Sequence, residues 1–278
     1  MRSLLLAAVV FTSLSSSAQY YYKDIVGIKE SSDIIKTYMK TKVTRVLVTS
    51  FDAENVKNDD FKVQQEFSSS EGVLKTTTQT TPENATTLFT YVDANGNVTR
   101  TMETNGSVTS SSEYTYDASG NLTSIISTSS DSTITEKELH LWQWNDGTPV
   151  RMLRIKNEKD TAVVDFVLDE NGNVIEEVET RRKSRSRPVY YYYNENNQLT
   201  DVVRYNERAG QLLPEYMFEY SPSNQVIQKI TVPANNSDYL IWRYLFNAQG
   251  LKTKEAIYSK HDKKTPIGRI EYQYSFGQ

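Results

Sequence analysis

Tyr114-Thr115-Tyr116-Asp117-Ala118-Ser119-Gly120-Asn121-Leu122 is a β-hairpin written in one phrase: two aromatics on alternate positions, a turn, then an aliphatic. The carboxylate of Asp117 is placed to accept backbone N–H groups two residues on, and Gly120 supplies the positive φ that the turn needs. Looser copies stand at Phe166 to Val174, Tyr191 to Leu199, Phe218 to Val226 and Tyr244 to Leu251. Taking the residue at each turn start as the anchor gives positions 93, 117, 145, 169, 194, 221 and 247, with spacings between 24 and 28. One hairpin repeated at a nearly fixed period is the mark of an array.

Each period holds a second turn, at Asn105-Gly106, Ser129 to Ser132, Asn157 to Asp160, Asn206 to Gly210, Asn235 to Ser237 and His261 to Lys264. Two turns in about 25 residues leave strands of about 6 to 9 residues, an ordinary length. The large side chains of Phe166/Leu168, Tyr191/Tyr193, Phe218/Tyr220 and Trp242/Tyr244/Phe246 alternate, which is a strand period. The expected fold is therefore all-β, an extended antiparallel meander of repeated hairpins. The turn positions are Asp93, Gly96, Asp117, Gly120, Asp169, Gly172, Asn194, Asn197, Asn247 and Gly250.

The mature chain divides into an N-terminal segment over 19–42 and the array over 43–278. Within the first, Ser31 to Met39 reads as a short helix, with apolar residues at 34, 35, 38 and 39. It is expected to cover the first sheet edge, which would otherwise template aggregation. Residues 1–18 read as an export signal: Arg2, then an apolar run from Leu4 to Leu14, then Ser16-Ser17-Ala18 before the cut at Gln19. This leader resembles signal peptidase I substrates of Bacteroidetes-type bacteria, so the expected location is the periplasm, the outer-envelope surface or the medium. That run falls short of the roughly 20 apolar residues of a transmembrane helix, and none is expected elsewhere.

Hydrophobic residues make up 37% of the chain and mean hydropathy is -0.59, which suits strands with one wet face. A net charge of -4 offers no field to recruit nucleic acid. The absence of cysteine removes disulfides, thiol nucleophiles and thiolate-bound metals together. Only two histidines occur, His140 on a strand and His261 in a polar loop beside Asp262, so no metal site and no cofactor is expected. Glu177 and Glu179 share a strand face and read as solvated, with Glu176 opposite; as a carboxylate pair they are the nearest approach to a glycosidase.

The motif Tyr114 to Leu122 resembles the YD repeats of RHS and teneurin-type proteins, and the four looser copies resemble it in part. The resemblance implies antiparallel strands that run on as a sheet, which in long arrays spirals into a shell around a cargo or partner. The polar, turn-rich ladder also resembles MORN-like repeats, more weakly.

Function is then sought where the copies differ. Arg181, Arg182, Lys183, Arg185 and Arg187 crowd ahead of Tyr191 and Tyr193, the ingredients for holding a polyanion. Trp142, Trp144 and Trp242 are candidates for stacking on sugar rings. The leading expectation is an exported, non-catalytic scaffold that binds a protein or a glycan, in an oligomeric state the residues leave open. The alternatives are an outer-membrane β-barrel, a glycan-active enzyme and a toxin-associated or immunity role. Against the barrel, Leu199, Asp201, Val203 and Tyr205 alternate onto one face, which puts a carboxylate among the apolar residues.

Overall fold

The computed structural model describes residues 19–277 apart from 82–83, 107, 132–133 and 234–237. The leader at 1–18, the turn at 235–237 and Ser132 of the turn that begins at Ser129 fall outside the described residues. A π-helical turn, Tyr21–Val26, runs into helix α1, Gly27–Thr41. The strands follow as β1 (Val43–Asp52), β2 (Lys57–Ser68), β3 (Val73–Thr81), β4 (Asn84–Val92), β5 (Val98–Asn105), β6 (Val108–Tyr116) and β7 (Leu122–Ser130). Next come β8 (Thr135–Asn145), β9 (Thr148–Lys156), β10 (Asp160–Leu168), β11 (Val174–Arg181), the short β12 (Ser184–Arg185) and β13 (Val189–Tyr193). The last are β14 (Leu199–Asn206), β15 (Gln211–Tyr220), β16 (Val226–Thr231), β17 (Leu240–Phe246), β18 (Lys252–Ser259) and β19 (Gly268–Phe276).

Apart from β12, which pairs only with β11, every strand pairs antiparallel with its neighbours in sequence, as the meander requires. The sheet has no free edge, because β19 returns to pair with β1 through Val48↔Tyr272 and Val46↔Tyr274. Since β11 also pairs directly with β13, β12 is a side ladder and the closed circuit is an 18-strand barrel. Closure removes the unpaired N–H and C=O rows of an edge altogether.

The helix therefore has no edge to cover, and its place corrects the expectation. It lies inside the barrel. Ile28, Ile35 and Tyr38 pack with Val43, Val46, Phe67, Leu74, Val98 and Leu251 on the inner wall. Its opposite side, with Asp33 and Ile34, is exposed. Tyr22, in the π-helical turn, joins a second cluster with Ile125, Trp142, Met152, Val164, Phe166, Tyr191, Val202 and Phe218. Tyr38 Oη donates to Gln65 at 2.9 Å, the backbone N–H of Val98 donates to Ser32 Oγ at 3.2 Å, and Lys36 reaches Asn97 at 2.9 Å. Lys42, at φ 57, ends the helix and turns the chain into β1.

The alternating strands give the barrel two mouths. The phrase that defines the repeat builds one of them. In the turn after β6, Asp117 Oδ1 accepts the N–H groups of Ser119 and Asn121 at 2.8 and 2.9 Å, and Gly120 sits at φ +84. Asn197 and Asn224 take the same role at φ 56 and 63, as asparagine tolerates that region. Each such turn is followed by a one-residue bulge, for instance between Thr115↔Ser124 and Tyr116↔Leu122. Where the extra residue is threonine its hydroxyl bonds back across the turn: Thr123 to the Thr115 carbonyl, Thr200 to that of Tyr192, Thr253 to that of Leu245.

The bulge also corrects a face. With Thr200 as the extra residue, Leu199 faces the lumen while Asp201 and Val203 face outward, so no carboxylate interrupts the apolar inner face there.

Candidate functional site

Inside the barrel, charged side chains converge on the start of the helical segment. Glu177, on β11, is fully buried and accepts the backbone N–H groups of Tyr20 and Tyr21, both at 3.0 Å, and the Tyr191 hydroxyl at 2.7 Å. A helix start leaves such N–H groups without partners, and a carboxylate is their natural acceptor. Burial raises the Glu177 pKa, and the three donors oppose that rise. This corrects the reading of Glu177 and Glu179 as a solvated pair: they face the lumen, and Tyr20 Oη donates to Glu179 at 2.9 Å.

His140, on β8, sits between two carboxylates, with Nδ1 2.6 Å from Asp24 and Nε2 2.9 Å from Glu138. Burial alone would lower its pKa, but the two carboxylates outweigh burial and raise it to about 9. Doubly protonated, its two N–H groups donate one bond to each. Arg154, on β9, is 8% exposed and lies 3.6 Å from Glu179, 3.8 Å from Glu138 and 3.9 Å from Asp160. Each of those carboxylates is already engaged: Glu179 with Tyr20, Glu138 with His140, Asp160 with Arg181 at 2.5 Å.

Lys229, on β16, approaches the rings of Tyr22, Tyr216 and Phe218 at 5.7, 4.7 and 5.6 Å, and donates to the Tyr22 hydroxyl at 3.1 Å. Burial lowers its pKa, with Glu30 opposing. A cation among ring faces gains quadrupole attraction in place of lost hydration.

The candidate residues named from the sequence do not form one site. Arg181 pairs with Asp160, Arg185 with Glu176 at 3.6 Å, and Arg187 with Glu207 at 3.0 Å while lying 3.6 Å over the Tyr205 ring. Arg182 and Lys183 form the tip of the β11–β12 hairpin at φ 47 and 67. Tyr191 and Tyr193 face the lumen, where Tyr193 Oη donates to the Val174 carbonyl at 2.9 Å. Their ring faces are thus parted from the basic run, and Tyr192 is the half-exposed member of that strand. Trp142 is buried and stacks on Phe166 at 5.2 Å, and Trp144 Nε1 donates to the Leu122 carbonyl at 2.7 Å. Trp242 is half-buried. His261 is paired with Asp238 at 3.3 Å rather than with its neighbour Asp262. Sequence reasoning named Glu177 only as a solvated carboxylate, and missed Arg154 and Lys229. Their signal was a charged residue at a lumen-facing strand position, hidden by the bulges that shift the alternation.

Residues 92–132, which contain the defining phrase, match the RHS Repeat family model. This stretch carries a YD repeat of the RHS type. No curated protein matches it. Among solved structures, the chain is similar to a porin-like protein from Bacteroides uniformis ATCC 8492, at 8% identity and a TM-score of 0.38. That alignment covers 84% of this chain and 97% of the other. It is also similar to a chain of the TcdB2-TccC3-Cdc42 structure, at 12% identity and a TM-score of 0.33. There the alignment covers 75% of this chain and 11% of the other.

Proposed function

We propose that the chain is an exported, non-catalytic binding protein: a barrel wet on its outside that holds its own N-terminal helix and presents its mouths to a protein or glycan partner. The observation that carries this reading is the outer wall. Arg151 and Asp165 stand opposite each other on β9 and β10, Nη2 to Oδ1 at 2.6 Å, in register beside the buried Met152 and Val164. Arg45 donates to Gln64 at 2.7 Å, and Arg269 pairs with Glu271 at 3.1 Å, on β1, β2 and β19. A charge facing lipid at mid-wall costs about 2 to 4 kcal/mol, so a wall carrying many of them suits water. Within, the acid, base and histidine side chains that catalysis would need are engaged in holding the helix, which supports a binding role. Export rests on the leader read at 1–18.

A membrane barrel is the second reading. In its favour, closure is complete, and Leu139, Leu141, Leu153, Ile155 and Val163 form an outward apolar patch across β8, β9 and β10. The test is size-exclusion chromatography of residues 19–278 without detergent. A monodisperse peak that detergent leaves unmoved is expected. Aggregation relieved by detergent, with insertion into liposomes, would overturn the reading.

A further inference from the structure

We propose that the mouth opposite the YD turns carries an oxyanion-binding pocket, built by Arg182, Ser184 and Ser186 where β11 runs into its hairpin. A cavity of about 410 Å³ opens there, lined by Glu179, Arg181, Arg182, Ser184 and Ser186. Its carboxylate is engaged, and so is Arg181, whereas Arg182 and the two serine hydroxyls still have protons to donate. Glu179 takes the Tyr20 hydroxyl and faces Arg154, and Arg181 is held by Asp160 through Nε at 2.7 Å. Ser186 Oγ accepts the Glu179 N–H at 3.1 Å, which leaves its own proton to donate. Among the described residues Arg182 has no ion pair within 4.0 Å and Ser184 Oγ has no hydrogen-bond partner.

Two further observations point the same way. Arg182 and Lys183 hold left-handed backbone conformations at the hairpin tip, where glycine or asparagine would be easier, so cationic side chains are placed at some cost in strain. One layer deeper, the buried Nε of Arg154 has no hydrogen-bond partner among the described residues. In the lining itself Arg181 and Arg182 stand against the single carboxylate of Glu179, which already faces Arg154, so an arriving anion meets a net positive rim. A planar guanidinium flanked by two hydroxyls suits a sulfate, phosphate or carboxylate group. The group belongs to a larger ligand, since the mouth is open to solvent.

This deepens the binding-protein reading and rests on it. The test is isothermal titration of residues 19–278 with sodium sulfate, sodium phosphate, a chondroitin sulfate oligosaccharide and an oligogalacturonate, against sodium chloride at matched ionic strength. Saturable binding of at least one oxyanion probe is expected, and the probe that binds more tightly identifies the source of the group. Arg182→Gln is expected to weaken it at least tenfold, while Lys183→Gln, at the same tip but outside the lining, changes it less than twofold. Circular dichroism confirms that both variants keep the fold. No saturation with any probe, saturation by chloride alone, or equal loss in the two variants would overturn the pocket. A chain that needs detergent but binds sulfate would instead sink the aqueous reading and leave the pocket standing.

Discussion

Tyr220 Oη donates to the backbone carbonyl of Leu199 at 2.7 Å, and this bond links one repeat to the one before it. Leu199 is the aliphatic just after a turn, beside the bulge that takes its strand out of regular pairing. The same bond recurs from Tyr116 to Val98, Trp144 to Leu122, Tyr193 to Val174 and Tyr274 to Lys252. The second aromatic of the phrase is thus more than apolar area: its polar tip satisfies a carbonyl freed in the preceding repeat. Phe246 closes its own repeat without a hydroxyl to give.

Tyr220→Phe removes that donor while keeping the ring, so the Leu199 carbonyl loses its partner. A loss of about 1 kcal/mol in unfolding free energy is expected, typical of one neutral hydrogen bond. Tyr192→Phe, on a half-exposed outward ring, is expected to change stability by less than about 0.5 kcal/mol. Urea unfolding followed by tryptophan fluorescence measures both. Equal effects would show that the inter-repeat bond contributes nothing of its own.

The array was legible because its signals are local. Asp117, Gly120 and Asn121 answer to the geometry of their own turn, and the strand period follows from adjacent residues. Closure was not legible, since β1 meets β19 across almost the whole array and no residue near Tyr272 announces Val48 as its partner. The bulges were hidden for a different reason. They add one residue just past each turn, so Leu199 and Asp201, alike in parity, end on opposite faces. The lumenal charges were concealed differently: Glu177 and Glu179 do share a face, but with Glu176 they made an acidic run that looked solvated. The partners of the basic run were equally out of view, as Arg181 and Arg187 find carboxylates on neighbouring elements, Asp160 and Glu207, that lie about 20 residues off in sequence.

Glu177→Ala tests whether the lumenal carboxylate anchors the helical segment. It leaves the N–H groups of Tyr20 and Tyr21 and the Tyr191 hydroxyl without their acceptor in a buried place. A loss of about 3 kcal/mol is expected, since each unsatisfied buried donor costs about 1 to 3 kcal/mol and relaxation recovers part of it. Lys23 and Lys29 are exposed already, so release of the segment would unfold the backbone beside them and make it a trypsin substrate. Limited proteolysis should therefore cut the variant there before the barrel strands, whereas the parent resists. An identical cleavage pattern and stability in the two proteins would remove Glu177 from the anchor.

His140 makes that anchor sensitive to alkali. Its pKa in the folded chain is raised to about 9 from an ordinary 6.5, because the Asp24 and Glu138 carboxylates favour the charged ring over the cost of burying it. A group whose pKa rises on folding binds its proton more tightly in the native state. Its stabilisation is then complete below about pH 6.5 and is lost as pH climbs through about 9, with one pKa unit equivalent to about 1.4 kcal/mol. Unfolding free energy should accordingly fall by about 2 to 3 kcal/mol between pH 6.5 and 9.5 through this group. His140→Gln retains hydrogen-bonding capacity but cannot carry the charge, so the slope over that window should flatten in the variant. Denaturant titrations at half-unit pH steps measure it, and a parent and variant with parallel slopes would show that the charge on His140 does not hold Asp24, and with it the helical segment, to the wall.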